Sequence, residues 1–195
     1  MAIAFYITLG CLGFLTIHLF DIVALKRWPV VKPITWIIGT GLLVYALAFL
    51  SLHPNHLTLP TWSTWLGWSL LLVSSPTLVY ALLIHLPFRK TYIATGVSDR
   101  LITTGLYALV RHPGVHWFSL ALLSLVLVSK SSGLLTAVPV FIFLDVLLVI
   151  IQDKLFFTRM FRDYARYQQV TPMLIPNRQS IKAFINSLNS GFETR

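Results

Sequence analysis

The sequence predicts an all-α, polytopic integral membrane protein with about five transmembrane helices and a C-terminal amphipathic segment. Three observations carry that expectation. Hydrophobic residues make up 56% of the 195 and charged residues only 11%, whereas a soluble domain carries about 25% charged residues. The mean hydropathy is +0.79. The apolar residues also gather into five stretches, at 2–25, 34–52, 65–86, 114–129 and 134–151, and a helix needs about 20 such residues to cross a bilayer. Trp and Tyr, present six and seven times, suit bilayer interfaces. The lone Cys11 excludes an internal disulfide and a multi-cysteine zinc site.

The first stretch lacks a basic lead-in, and Lys26-Arg27 follow it as a stop-transfer flank, so it reads as a span rather than a cleaved signal peptide. His18 and Asp21 share a face near its inner end, a place for an interfacial polar contact. The second and third stretches are joined by a loop around His53-Pro54-Asn55-His56. The fourth is short and is predicted to start at Arg111-His112-Pro113, because proline disfavours helix at the residue before it and suits the first helical turn. That start leaves the amides of Gly114, Val115 and His116 without intrahelical partners, an anion-attracting arrangement beside the planar cation of Arg111. Tyr107 falls four residues earlier, on the same face if 104–110 is helical. Otherwise Arg111 is a lipid-headgroup anchor and Pro113 merely begins a helix.

Asp145 lies inside the fifth stretch, where a central aspartate costs about 2.5–3.5 kcal/mol on insertion scales. Gln152 and Asp153 return to its face, so it is expected to point into the bundle, as a helix–helix hydrogen bond or a substrate contact. Beyond it, Phe157, Met160, Phe161, Tyr164 and Tyr167 recur at helical spacing, with Arg159, Arg162 and Arg166 on other faces. That pattern predicts a basic amphipathic helix on the inner leaflet, able to serve as a lid. His112 and His116 would suit two metal ligands, but only His85 or Asp153 could complete the set, and no metal site is expected. The whole chain, 1–195, reads as one membrane domain.

Fourteen of the fifteen basic residues lie in loop one (Lys26, Arg27, Lys32), loop three (Arg89, Lys90, Arg100, Arg111) or the segment after the fifth stretch. Loop two has none, and Lys130 sits in the turn between the last two stretches. The positive-inside rule puts the N-terminus outside and the C-terminus in the cytoplasm, across the cell membrane (the inner one in a bacterium). The net charge of +9 is therefore a topology signal, and no nucleic-acid partner is expected.

Gly105-x-Tyr107-x-x-x-Arg111-His112-Pro113, followed by a helical hairpin and by Tyr164-x-x-Tyr167 with Pro172 and Pro176, resembles the isoprenylcysteine carboxyl methyltransferase and phospholipid methyltransferase superfamily. The likeness covers about 101–176. It implies a membrane enzyme with S-adenosylmethionine as cofactor, bound in a cytoplasmic pocket closed by the C-terminal segment, and a lipophilic small molecule as acceptor. The cofactor-binding residues it implies are Tyr107, Arg111, His112, Gln152, Asp153, Tyr164 and Tyr167. Arg111 and the helix start would take the cofactor carboxylate, Asp153 the ammonium, and the two tyrosines the adenine or the closure of the pocket. Asp145 is the candidate catalytic residue.

The chain departs from the family pattern in three places: Gln152-Asp153 replaces a pair of acids, Val115 replaces an aromatic, and 145–150 lacks an arginine. Two alternatives follow. One is a sterol-reductase-like enzyme using NADPH, whose family shares a similar Arg-His-Pro hairpin. The other is a non-catalytic membrane homologue that has lost the acceptor site.

Overall fold

The computed structural model describes residues 2–53, 56–86, 88–93 and 101–193. Pro87 and residues 94–100 of loop three, and Pro54 and Asn55 of loop two, lie outside them. Among the described residues the chain is helical with no strand, apart from one isolated antiparallel bridge between His56 and Ser131. The helices are α1 (Ala2–Leu25), α2 (Val31–Ser51), α3 (Thr61–His85), α4 (Leu106–Leu109), α5 (Pro113–Ser129), α6 (Ser132–Met160), α7 (Tyr164–Val170) and α8 (Arg178–Glu193), with a separate π-helical turn at Arg89–Ile93. Four of them, α1, α2, α3 and α6, are long and apolar enough to cross a membrane. The protein is an all-α, polytopic membrane protein. The remaining apolar helix, α5, has 17 residues, about 26 Å at the α-helical rise, and is the short fourth stretch expected from the sequence.

Helices α1 and α2 form one antiparallel pair, α3 and α5 a second, and α6 packs against α1, α2 and α5. The first pair approaches closely because Gly13 and Gly39 face each other: a Cβ on Gly13 would lie 2.9 Å from the Gly39 carbonyl oxygen. Small residues allow such backbone approach where lipid removes the hydrophobic drive between helices. The core is Phe14 of α1, Leu43 and Leu50 of α2, Leu122 and Val126 of α5, and Leu134, Ala137, Val138, Phe141 and Leu148 of α6. Residues such as Ile37, Val44, Trp65, Leu72 and Phe143 are exposed, as an outer face in contact with acyl chains requires.

The two ends of the bundle differ. At one end loop two meets the α5–α6 turn. Leu57 donates its amide to the Lys130 carbonyl at 2.7 Å, and Lys130 takes the left-handed conformation that ends α5 (φ 53°). Ser131 then caps α6, accepting from the Leu134 amide at 3.2 Å while its hydroxyl donates to the Leu50 carbonyl. At the other end lie the α1–α2 loop, the Arg111 region and the segment after α6.

Two local readings change. Lys32 does not sit in loop one but in the first turn of α2, buried, with its Nζ 5.5 Å from the Phe20 ring centre. The stretch 157–167 is not one amphipathic helix on a membrane surface. Helix α6 runs through a π-helical turn at Gln152–Phe156 to Met160, the backbone extends at Phe161, and α7 begins at Tyr164. Met160, Tyr164 and Tyr167 turn inward and are buried, because the two tyrosine hydroxyls find acceptors inside the bundle. The amphipathic helix is α8 instead: Asn177 caps it through a 2.8 Å bond from the Ser180 amide, and Ile181, Ile185 and Leu188 mark its apolar side.

Candidate functional site

The site end is built around an ion pair. Helix α4 stops at Leu109, Val110 is extended, and α5 starts with Pro113 in its first turn, as the Arg-His-Pro step predicts. Arg111 and His112 therefore occupy a non-helical link whose backbone is held by the C-terminal segment: the Arg111 amide donates to the Pro172 carbonyl at 2.9 Å, and the His112 amide to that of Met173 at 3.2 Å.

Asp153, buried in the π-helical turn of α6, meets Arg111 in a two-pronged pair, Nε to Oδ1 and Nη2 to Oδ2, each 2.8 Å. The side chains are 9% and 6% exposed, so Arg111 is not a lipid-headgroup anchor. Its Nη1 donates to the carbonyls of Gln168 (3.2 Å) and Thr171. Asp153 also accepts from the Tyr164 hydroxyl, from Gln168 Nε2 at 3.1 Å and from His112 Nε2 at 3.3 Å. Burial pushes the Tyr164 hydroxyl up and Asp153 beside it adds to the shift, so Tyr164 stays a proton donor. Burial also holds the His112 imidazole below its ordinary value, against the pull of Asp153; the neutral ring stacks on Phe157 with centres 5.6 Å apart.

The other residues expected in the site divide. The Tyr107 hydroxyl turns away from Arg111 and donates to the Ala81 carbonyl at 3.0 Å, in the π-helical turns that end α3. A helix end in an apolar setting needs such a partner for its last carbonyls. Tyr107 joins the cluster through its own carbonyl, which accepts from the Tyr167 hydroxyl. Gln152 lies apart from the ion pair and donates to Asp21 of α1 at 2.9 Å, a link that sequence spacing does not display. Gln168 and Thr171 contribute to the Arg111–Asp153 cluster but carry no motif, and two of their four contacts use their own backbone carbonyls, which any residue has. His116 joins no metal set, since no three His, Cys, Asp or Glu side chains converge among the described residues.

Beneath this cluster a cavity of about 590 Å3 opens between the helices, walled by residues of α1, α2, α3, α5 and α6. Its lining is overwhelmingly aliphatic and aromatic, but Arg111, His112, Tyr164 and Tyr167 reach it at one end. Asp145 and Gln152 line it further along α6, and Gly114 lies on the wall at the helix start. Its size falls within the range of about 300–1,000 Å3 typical of small-molecule sites.

A cofactor with a carboxylate, an ammonium and an adenine fits part of this donor set. Arg111 spends four of its five N–H groups on Asp153 and on carbonyls, and Asp153 is saturated by Arg111, His112, Tyr164 and Gln168. The amide of Gly114 and the remaining N–H of Arg111 are left for a carboxylate, and the Phe157, Phe161 and Tyr164 rings on the wall for an adenine. No protein-family model, no curated protein and no solved structure matches this chain.

Proposed function

We propose that this protein is a membrane-embedded methyltransferase that binds S-adenosylmethionine beside Arg111 and His112 and methylates a lipophilic small molecule. The observation that carries the reading is the cavity: one chamber has apolar walls for a lipid-like acceptor and a polar end at Arg111, His112, Tyr164 and Tyr167. Methyl transfer to a thiolate, carboxylate or amine requires alignment and exclusion of water more than a dedicated acid and base. An aliphatic chamber inside a bilayer supplies both. The resemblance of 101–176 to the isoprenylcysteine and phospholipid methyltransferases supports the same chemistry. Asp153 then acts as a positioning residue that holds Arg111 and the C-terminal segment, rather than as the partner of the cofactor ammonium. The distribution of basic residues supports an outside N-terminus and a site end in the cytoplasm, where the cofactor is available.

A second reading has its own observation. The closed, two-pronged Arg111–Asp153 pair is what a non-catalytic homologue would retain as a structural clasp. Equilibrium binding of labelled S-adenosylmethionine and of NADPH to the detergent-purified chain separates the readings. Saturable binding of S-adenosylmethionine alone is expected; binding of NADPH alone points to a reductase, and binding of neither to a non-catalytic role.

A further inference from the structure

Among the described residues two acids line the cavity, Asp21 and Asp145, neither of them part of the ion-pair cluster, and of the two Asp145 has the unpartnered oxygen. Its Oδ2 is buried and has no hydrogen-bond partner among the described residues. Asp21, the other acid on the wall, is bonded by Gln152. The two cations of the wall are engaged elsewhere: Arg111 is committed to Asp153, and Lys32 lies over the Phe20 ring. Asp145 sits within the membrane-spanning part of α6, eight residues before Asp153, or about 12 Å along the helix axis. A carboxylate at such depth is expensive, and acids in membrane spans mark ligand pathways more often than packing.

We propose that Asp145 is the recognition group for a lipophilic amine, whose ammonium pairs with its carboxylate while the hydrocarbon lies against the aliphatic wall formed by such residues as Leu43, Leu47, Leu122 and Leu125. The inference names the acceptor class of the methyl-transfer reading and rests on that reading for the reaction, not for the binding. In that reaction the ammonium first passes a proton to the Asp145 carboxylate, the freed nitrogen lone pair takes the methyl and the cofactor leaves as its neutral thioether. A cation is favoured over a neutral head because the unpartnered oxygen is an acceptor, and an ammonium brings it both a donor and a counter-charge. A carboxylate-headed lipid would meet a like charge, and an alcohol would offer one uncharged donor. Charge-assisted bonds are about twice as strong as neutral ones.

The test uses the full chain in maltoside micelles, with labelled decylamine, decanol and decanoate measured at one detergent concentration. Decylamine is expected to bind saturably and about tenfold or more tighter than decanol, with decanoate weakest. Asp145→Asn should remove the amine preference and leave decanol unchanged, whereas Asp145→Glu should keep it. Equal binding of amine and alcohol by the unmodified chain, or an undiminished amine preference in Asp145→Asn, overturns the proposal. Should Asp145→Asn fail to fold, the amine-over-alcohol comparison in the unmodified chain still decides. S-adenosylmethionine binding is measured on the same preparations. Amine recognition without cofactor binding sinks the methyltransferase reading and leaves this one standing; the reverse leaves the enzyme and removes its amine.

Discussion

Arg111 and Asp153 show how much of the site rests on single side chains. The pair is buried and two-pronged, and removing one partner of such a pair costs about 3–5 kcal/mol because the other charge is left uncompensated. Asp153→Asn should therefore lower the melting midpoint in detergent sharply, and Arg111→Lys should do so as well, since lysine lacks the planar fork. The double change Arg111→Met with Asp153→Leu should cost clearly less than the two single losses added together; a fully additive result would mean that the pair is not coupled. His112 gives a pH prediction with a definite sign. Burial holds its folded value below the ordinary one, so the unfolded chain takes up the proton first as the pH falls. Stability from this group is complete above about pH 6.5 and is lost on acidification toward the folded value. Melting curves between pH 7 and pH 5 should slope less in His112→Asn than in the unmodified chain. Gly105 is legible in the motif, but its reason is structural. It has φ +56°, and a Cβ there would lie 2.4 Å from His85 Cε1.

Among the elements, α7 is the strap that closes the site, and it is fastened by hydroxyls and carbonyls rather than by apolar area. Tyr164 reaches Asp153, Tyr167 reaches the Tyr107 carbonyl, and the Gln168 and Thr171 carbonyls receive Arg111. Tyr167→Phe removes one donor and leaves a buried carbonyl unpaired, a loss of about 1–3 kcal/mol. It should lower the melting midpoint and speed protease cleavage between Val170 and Asn177, and unchanged cleavage would show that the strap is held elsewhere. The aromatic spacing of 157–167 is visible in the sequence, yet its reading as a surface helix fails for a physical reason. Helical periodicity reports which residues share a face, not whether that face meets lipid or a polar cluster. Helix α8 illustrates the converse. Its apolar side of Ile181, Phe184, Ile185 and Leu188 recurs at helical spacing and the Asn177–Ser180 cap signals a new helix start, but Arg, Gln, Ser, Lys and Asn keep its overall hydropathy far below that of the spans.

For the whole molecule the decisive property is orientation. Among the described residues the basic ones lie at the site end or follow α6, with Lys130 alone in the opposite turn. In a Cys11→Ser background, a cysteine introduced at exposed Thr58 should react with an impermeant reagent applied from outside, and one at exposed Gln179 should not. The opposite pattern would invert the topology and place the site end away from a cytoplasmic cofactor.

Composition, the five apolar stretches and the Arg-His-Pro step determined the membrane class, the short α5 and its starting residue, because hydropathy and proline geometry act locally. The motif resemblance, not composition, grouped Tyr107, Arg111, His112, Gln152, Asp153, Tyr164 and Tyr167 in one site. Tertiary structure alone decided that Arg111 and Asp153 satisfy each other, that Gln152 belongs to Asp21, that Lys32 turns inward, and that Asp145 is left with an unpartnered oxygen on an apolar wall. Each of these depends on how the helices pack and how they are rotated against one another. Pairing between residues far apart in the chain is set by such rotations, which no local pattern encodes.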